Sequence, residues 1–208
     1  MFMKKILILA GSVALAASAH ASVFTNGSFE TGPNPGGFTT LFNDDTSISG
    51  WTVGGNSVDY IGSYWQASNG QRSLDLGGNN NGSVSQTFDT VANQAYTLTF
   101  DLSGNPDKRP TNPAAYIVNV TAGNLNGNFS FTDLSNSLGN MKWQTFTTTF
   151  VASSNSTTLT FLDAHPQGAW GPALDNVKVE AVPEPFTMSL GLASAGLFLR
   201  RRLKAKKA

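Results

Sequence analysis

The chain reads as an all-β protein, an antiparallel β-sandwich, on three observations. Short segments alternate apolar and polar residues, runs of glycine, asparagine, serine and threonine separate them, and no long amphipathic helix interrupts them. Such alternation marks sheets with one face in a core and the other in water. Ten or so segments suit two sheets sharing an interior, with a closed barrel as the alternative architecture.

Taken in order, Ile48 to Val53, Ser57 to Ile61, Arg72 to Leu76 and Ser83 to Phe88 are short strand candidates. Between the last two, Gly77-Gly78-Asn79-Asn80-Asn81-Gly82 reads as a turn or loop with positive-φ positions. It is no phosphate cradle, because neither a G-x-G-x-x-G pattern nor a P-loop lysine opens a helix there. The cleanest strand is Tyr96 to Leu102, where Tyr96, Leu98, Phe100 and Leu102 share one face while Thr97, Thr99 and Asp101 share the other. Tyr116 to Val120, Gln144 to Val151, Thr157 to Leu162 and Ala173 to Val179 repeat the rhythm.

Both ends stand apart from this domain. Lys4 and Lys5, the apolar run Ile6 to Ala17 and the Ala19-His20-Ala21 site before Ser22 make a secretory signal peptide over residues 1–21, to be cut by signal peptidase after Ala21. Residues 181–208 hold Val182-Pro183-Glu184-Pro185, an uncharged run from Phe186 to Leu199, and a basic end beginning Arg200-Arg201-Arg202. The Pro183-Glu184-Pro185 triplet, apolar run and arginine cluster resemble the PEP-CTERM sorting tail of exported proteins in Gram-negative bacteria that make extracellular polysaccharide. That resemblance implies removal of the tail by the membrane-embedded exosortase, with the mature product at the cell surface or in the extracellular matrix. As a hydrophobic helix, the run would rise roughly 21 Å against a hydrocarbon core of ~30 Å. A permanent membrane span therefore needs snorkelling by the arginines or a thinned bilayer, and both fates stay open.

Removing the ends changes the charge argument. Between Ser22 and Ala181 there are five basic and twelve acidic residues, a net charge of −7. Nucleic acid is a poor partner for such a surface. The chain has no cysteine, which excludes disulfides and thiolate metal sites. His165 is the only histidine outside the signal peptide, so neither a histidine zinc cluster nor a Ser-His-Asp set is expected. Residues 22–180 suit one domain.

Two acids invite a metal reading. If Val177 and Val179 face the core, strand parity turns Asp175 the same way, and a buried carboxylate needs a cation or several donors. Glu30, beside Phe29 near the start of the mature chain, can meet Asp175 if the first segment lies along the last strand. Two carboxylates with backbone carbonyls suit calcium. The alternative is that Glu30 caps a turn and Asp175 bonds to backbone amides.

Asn26-Gly27-Ser28-Phe29-Glu30, Ser47 to Val53, Val58-Asp59-Tyr60-Ile61, Trp65-Gln66-Ala67, Arg72 to Leu76 and Gly171 to Val177 resemble the choice-of-anchor C family. The likeness spans nearly the whole mature domain. It implies a galactose-binding-like jelly roll, akin to many carbohydrate-binding modules, with a structural calcium held by Glu30 and Asp175.

Sugar binding calls for aromatic platforms beside hydrogen-bonding groups. Tyr60, Tyr64, Trp65 and Arg72, with Gln66 and Asn69, supply such a set in one stretch, and Trp170 between glycines is a further candidate. Trp51 reads as core, and Trp143 as core or rim. No catalytic residue is assigned. A glycosidase needs two acids across a cleft, and Asp59 with Asp75 is the one pair the sequence suggests, without a signature. The expected function is a non-catalytic exported protein that binds polysaccharide, with a purely structural matrix protein as the second reading.

Overall fold

A computed structural model describes residues 23–107, 115–166 and 168–183. The expected signal and tail helices therefore lie outside the described residues, as do Glu184, Pro185 and the arginine cluster. Eleven strands run in chain order: β1 Phe38–Phe42, β2 Thr52–Gly55, β3 Ser57–Ile61, β4 Ser73–Asp75, β5 Gly82–Asp89, β6 Ala95–Gly104, β7 Tyr116–Ala122, β8 Leu125–Phe131, β9 Gln144–Val151, β10 Ser156–Asp163 and β11 Pro172–Ala181.

They form two antiparallel sheets, β1-β3-β4-β11-β6-β9 and β2-β5-β10-β7-β8. This is a sandwich, so the barrel alternative falls. Alternation decides which faces meet: Leu98, Phe100 and Leu102 of β6 are fully buried against Val118 and Val120 of β7 and Leu159 and Phe161 of β10 in one core. Aromatic edges knit the interior, with Phe100 meeting Phe161 edge to face at 72° and 5.1 Å between ring centres.

Two strands escape the sequence pattern. β1 follows two glycines, and β8 spells Leu-Asn-Gly-Asn-Phe-Ser-Phe, a composition that reads as loop. Each lies at the edge of its sheet, where one neighbour suffices and propensity matters less. The expected strand Ile48 to Val53 shortens to β2, because Trp51 donates its amide to Ile48 O across a turn in which Gly50 has φ +82°. Trp51 is core as expected, 1 % exposed, with its indole N–H on Asn26 O.

One irregularity determines the site. β11 pairs with β6 in register through Asp175 opposite Asp101, then shifts before Lys178, with Asn176 at φ +52°. This β-bulge inserts a residue and reverses strand parity. Leu174 and Val177 consequently both face the core, whereas Asp175 lies with Asp101 on the outer face. The expectation that Asp175 shares a face with Val177 and Val179 is corrected.

Candidate functional site

The outer face of the six-stranded sheet is partly roofed. Ile61, Trp65, Met141 and Ala173 form a small buried apolar cluster there, with Tyr64 and Trp143 packed against it. The roof is made of two loops that bond to each other: Gln66 N donates to Leu138 O, and Trp143 Nε1 donates to Gln66 O.

The stretch Ser68–Arg72 of that roof is clamped by carboxylates. Asp175 Oδ2 accepts the amides of Ser68 and Asn69, both at 2.8 Å, and its Oδ1 accepts the amide of Asn176. Glu30 Oε1 accepts the amides of Gln71 and Arg72 at 2.7 and 2.8 Å. Between them Gly70 has φ +72°, and a methyl on it would come within 2.3 Å of Glu30 Oε1. Asp101 completes the clamp, receiving Ser68 Oγ and Asn176 Nδ2 on Oδ2 and Thr145 Oγ1 on Oδ1. The first segment does reach the last strand, since Val177 N donates to Gly27 O at 2.8 Å.

These contacts test the calcium expectation for Glu30 and Asp175. Three of their four carboxylate oxygens face backbone N–H donors, whose polarity is the reverse of what a cation's ligands require. Among the described residues, no three His, Cys, Asp or Glu side chains group as a metal site. As placed, the pair holds polypeptide amides and does not fit a calcium ion. Burial, chiefly, pushes the Asp175 carboxyl up to about 7, with Asp101 adding to the rise and the amides of Asn69, Asn176 and Ser68 opposing it.

Where the roof stops, the face opens into a cleft of about 100 Å³. Its aromatic walls are Phe38, Tyr64 and Trp170, with Trp65 beneath. Phe38 and Trp170 are 48 % and 44 % exposed, and Phe38 meets Tyr64 edge to face at 5.2 Å. The polar lining is Asp59, Asp75, Asn105 and Asp107. Tyr64 donates its hydroxyl to Asp107 Oδ2 at 2.6 Å.

The floor is set by strand register. Asp59 of β3 lies directly opposite Asp75 of β4, a pairing of like charges that ordinarily destabilises a sheet. The surroundings offset it. Thr40 Oγ1 donates to Asp59 Oδ1, while Asp75 takes the amides of Gly77 and Gly171 on Oδ1 and Asn105 Nδ2 on Oδ2. Burial raises Asp59 and raises Asp75 well above the usual carboxylate range. Behind the floor, Asp163 and His165 are buried at 3.6 Å, and among the described residues Asp163 Oδ2 and His165 Nδ1 have no hydrogen-bond partner. His165 is thus a buried loop residue packed on Tyr116.

The residues picked out from sequence divide three ways. Tyr64 and Trp170 reach the cleft. Tyr60 does not reach it, being fully buried with its hydroxyl on Phe29 O, and Trp65, 4 % exposed with its indole N–H on Ser73 Oγ, contributes only to the cleft's base. Arg72 lines a separate, larger groove. Phe38, Asn105 and Asp107 were missed. Phe38 belongs to the unrecognised β1, and the other two follow the end of β6, where periodicity carries no signal.

Residues 22–180 match the family described as "Protein of unknown function (DUF642)". The chain belongs to that family. Among curated relatives, it is 34 % identical over 189 residues to halomucin of Haloquadratum walsbyi, a match covering 86 % of this chain and 2 % of that protein. Among solved structures, the family 35 carbohydrate-binding module of Paenibacillus barcinonensis is similar at 15 % identity, with 69 % of this chain and 99 % of that one covered and a TM-score of 0.44. TmCBM61 in complex with β-1,4-galactotriose is similar at 12 % identity over 77 % of this chain and 99 % of that one, with a TM-score of 0.46. These likenesses concern the two-sheet fold of this DUF642 domain.

Proposed function

We propose that this protein is a non-catalytic polysaccharide-binding domain, and that the cleft beside the roof holds a sugar. The observation that carries this is the combination of two accessible rings, Phe38 and Trp170, with Tyr64 around a floor of acceptor oxygens. Sugar C–H faces stack on rings, and sugar hydroxyls donate to carboxylates and amides. Asp59 and Asp107 each bond to the protein through one carboxylate oxygen among the described residues, which leaves the other for a ligand hydroxyl.

The geometry of the Asp59 and Asp75 pair favours binding over catalysis. Asp75 is 2 % exposed with both oxygens committed to protein donors, so it is poorly disposed to attack a sugar carbon or exchange a proton with it. Export by the residue 1–21 signal and sorting through residues 181–208 by exosortase complete the reading, with the mature domain at the cell surface or in an extracellular polysaccharide matrix. Their support is the sequence of the two ends.

Affinity electrophoresis of the full-length protein, in gels containing neutral and acidic polysaccharides and the producing cell's own exopolysaccharide, tests the binding. Retardation that Phe38→Ala abolishes is expected. Migration unaffected by every polymer removes glycan binding and leaves a structural matrix protein. Intact-mass measurement of the native protein, with cell fractionation, reads which end segments remain.

A further inference from the structure

Next to the cleft lies a larger groove of about 580 Å³, walled by Asn34 to Gly36, Ser63, Gln71 and Arg72. The two depressions share one rigid partition. Gly62 N and Tyr64 N donate to Gly37 O, Ser63 N donates to Gly36 O, and the Phe38 and Tyr64 rings stand on the cleft side of this pairing. Among the described residues, nothing lies within 4 Å of where a methyl on Gly36 or Gly37 would project, so none of them overlies the partition there.

The groove differs from the cleft in charge. Its walls carry neutral polar side chains and one guanidinium, with no acid among the described lining residues, whereas the cleft has three aspartates. Arg72 is held in place from several sides. Its amide is bonded to Glu30, its Nη1 donates to Gly32 O and to Tyr60 Oη, and its guanidinium carbon sits 5.5 Å from the Tyr60 ring centre. Its Nε and Nη2 have no protein acceptor among the described residues. A cation ordered before binding spends little entropy on pairing, and its planar fork suits a carboxylate.

We propose that cleft and groove are successive subsites for one extended glycan chain, and that Arg72 pairs with an acidic substituent on the unit lying in the groove. This rests on the glycan-binding reading of the cleft and adds the ligand's chemical class. The net charge of −7 between Ser22 and Ala181 opposes a densely charged polymer. The fitting ligand is therefore a chain of mainly neutral sugars with occasional acidic units, in preference to a polyuronate.

The test compares arabinoxylan, glucuronoxylan and polygalacturonate in affinity gels run with the full-length protein. The first two share a xylan backbone and differ in carrying uronate. Arg72 itself supports Tyr60, so the diagnostic variant is Gln71→Glu, which adds a negative charge at an exposed groove residue that bonds only through its backbone among the described residues. Glucuronoxylan is expected to retard the protein at about tenfold lower concentration than arabinoxylan, as a charge-assisted contact allows. Polygalacturonate is expected to retard it less than glucuronoxylan, and Gln71→Glu to erase the preference by weakening glucuronoxylan retention far more than arabinoxylan retention. Equal retardation by the two xylans, or a preference that survives Gln71→Glu, overturns the groove assignment and leaves the cleft's function standing. No retardation by any polymer, the cell's own included, overturns both.

Discussion

Glu30 and Asp175 grip opposite halves of one loop, Glu30 through the amides of Gln71 and Arg72 and Asp175 through those of Ser68 and Asn69. Residues from the two ends of the domain thereby position the roof that carries Tyr64 and the wall that carries Arg72. Charge-assisted bonds of this kind are stronger than neutral ones, and each amide they satisfy is one that would otherwise need water.

Gly70, at the midpoint of that loop, tolerates no side chain. A methyl would meet Glu30 Oε1 at 2.3 Å on a backbone with φ +72°. Gly70→Ala should lower unfolding free energy by about 1–3 kcal/mol. Gly37→Ala, with nothing nearby to strike, serves as the neutral control. Chemical denaturation of both reads the contrast, and equal stabilities would refute the clamp's importance.

Because the clamp is made of amides, the domain should be indifferent to calcium. Its melting temperature is expected to be the same with excess chelator as with added calcium. An upward shift with calcium, which stabilises by mass action if it binds the folded state, would restore the metal reading for Glu30 and Asp175.

Stability should fall as pH rises through the neutral range. An unfolded aspartate titrates near 3.8, whereas burial lifts folded Asp175 to about 7. In that window the folded chain keeps a proton that the unfolded chain releases, so folding binds protons and loses free energy as pH increases. Asp59, Asp75 and Asp163 are also raised, first by burial, and act with the same sign. Thermal melts at about pH 5 should exceed those at about pH 8, and a midpoint that rises toward pH 8 would contradict this account.

The two classes of tryptophan should separate cleanly. Trp170→Ala removes an exposed cleft wall and should weaken glycan retention with little change in melting. Trp65→Ala opens a cavity in the buried cluster over the sheet and should cost about 3–5 kcal/mol of stability. Melting and retention measured on both variants check the assignment, which fails if Trp170→Ala unfolds the domain or leaves retention intact.

The sequence by itself determined the strands whose apolar faces alternate without interruption, β6 and β7 above all, because a period of two is local information written residue by residue. It also determined that the domain is acidic and lacks disulfides. Only the tertiary structure decided the site. A single inserted residue at the Asp175 bulge turned that carboxylate away from the core, the roof loops buried Trp65 and the sandwich interior buried Tyr60, and Tyr64, touching Phe38 with its ring and Asp107 with its hydroxyl, joined those two distant residues in one cleft. Which ring keeps a face open depends on what distant segments cover it, and no spacing along the chain encodes that.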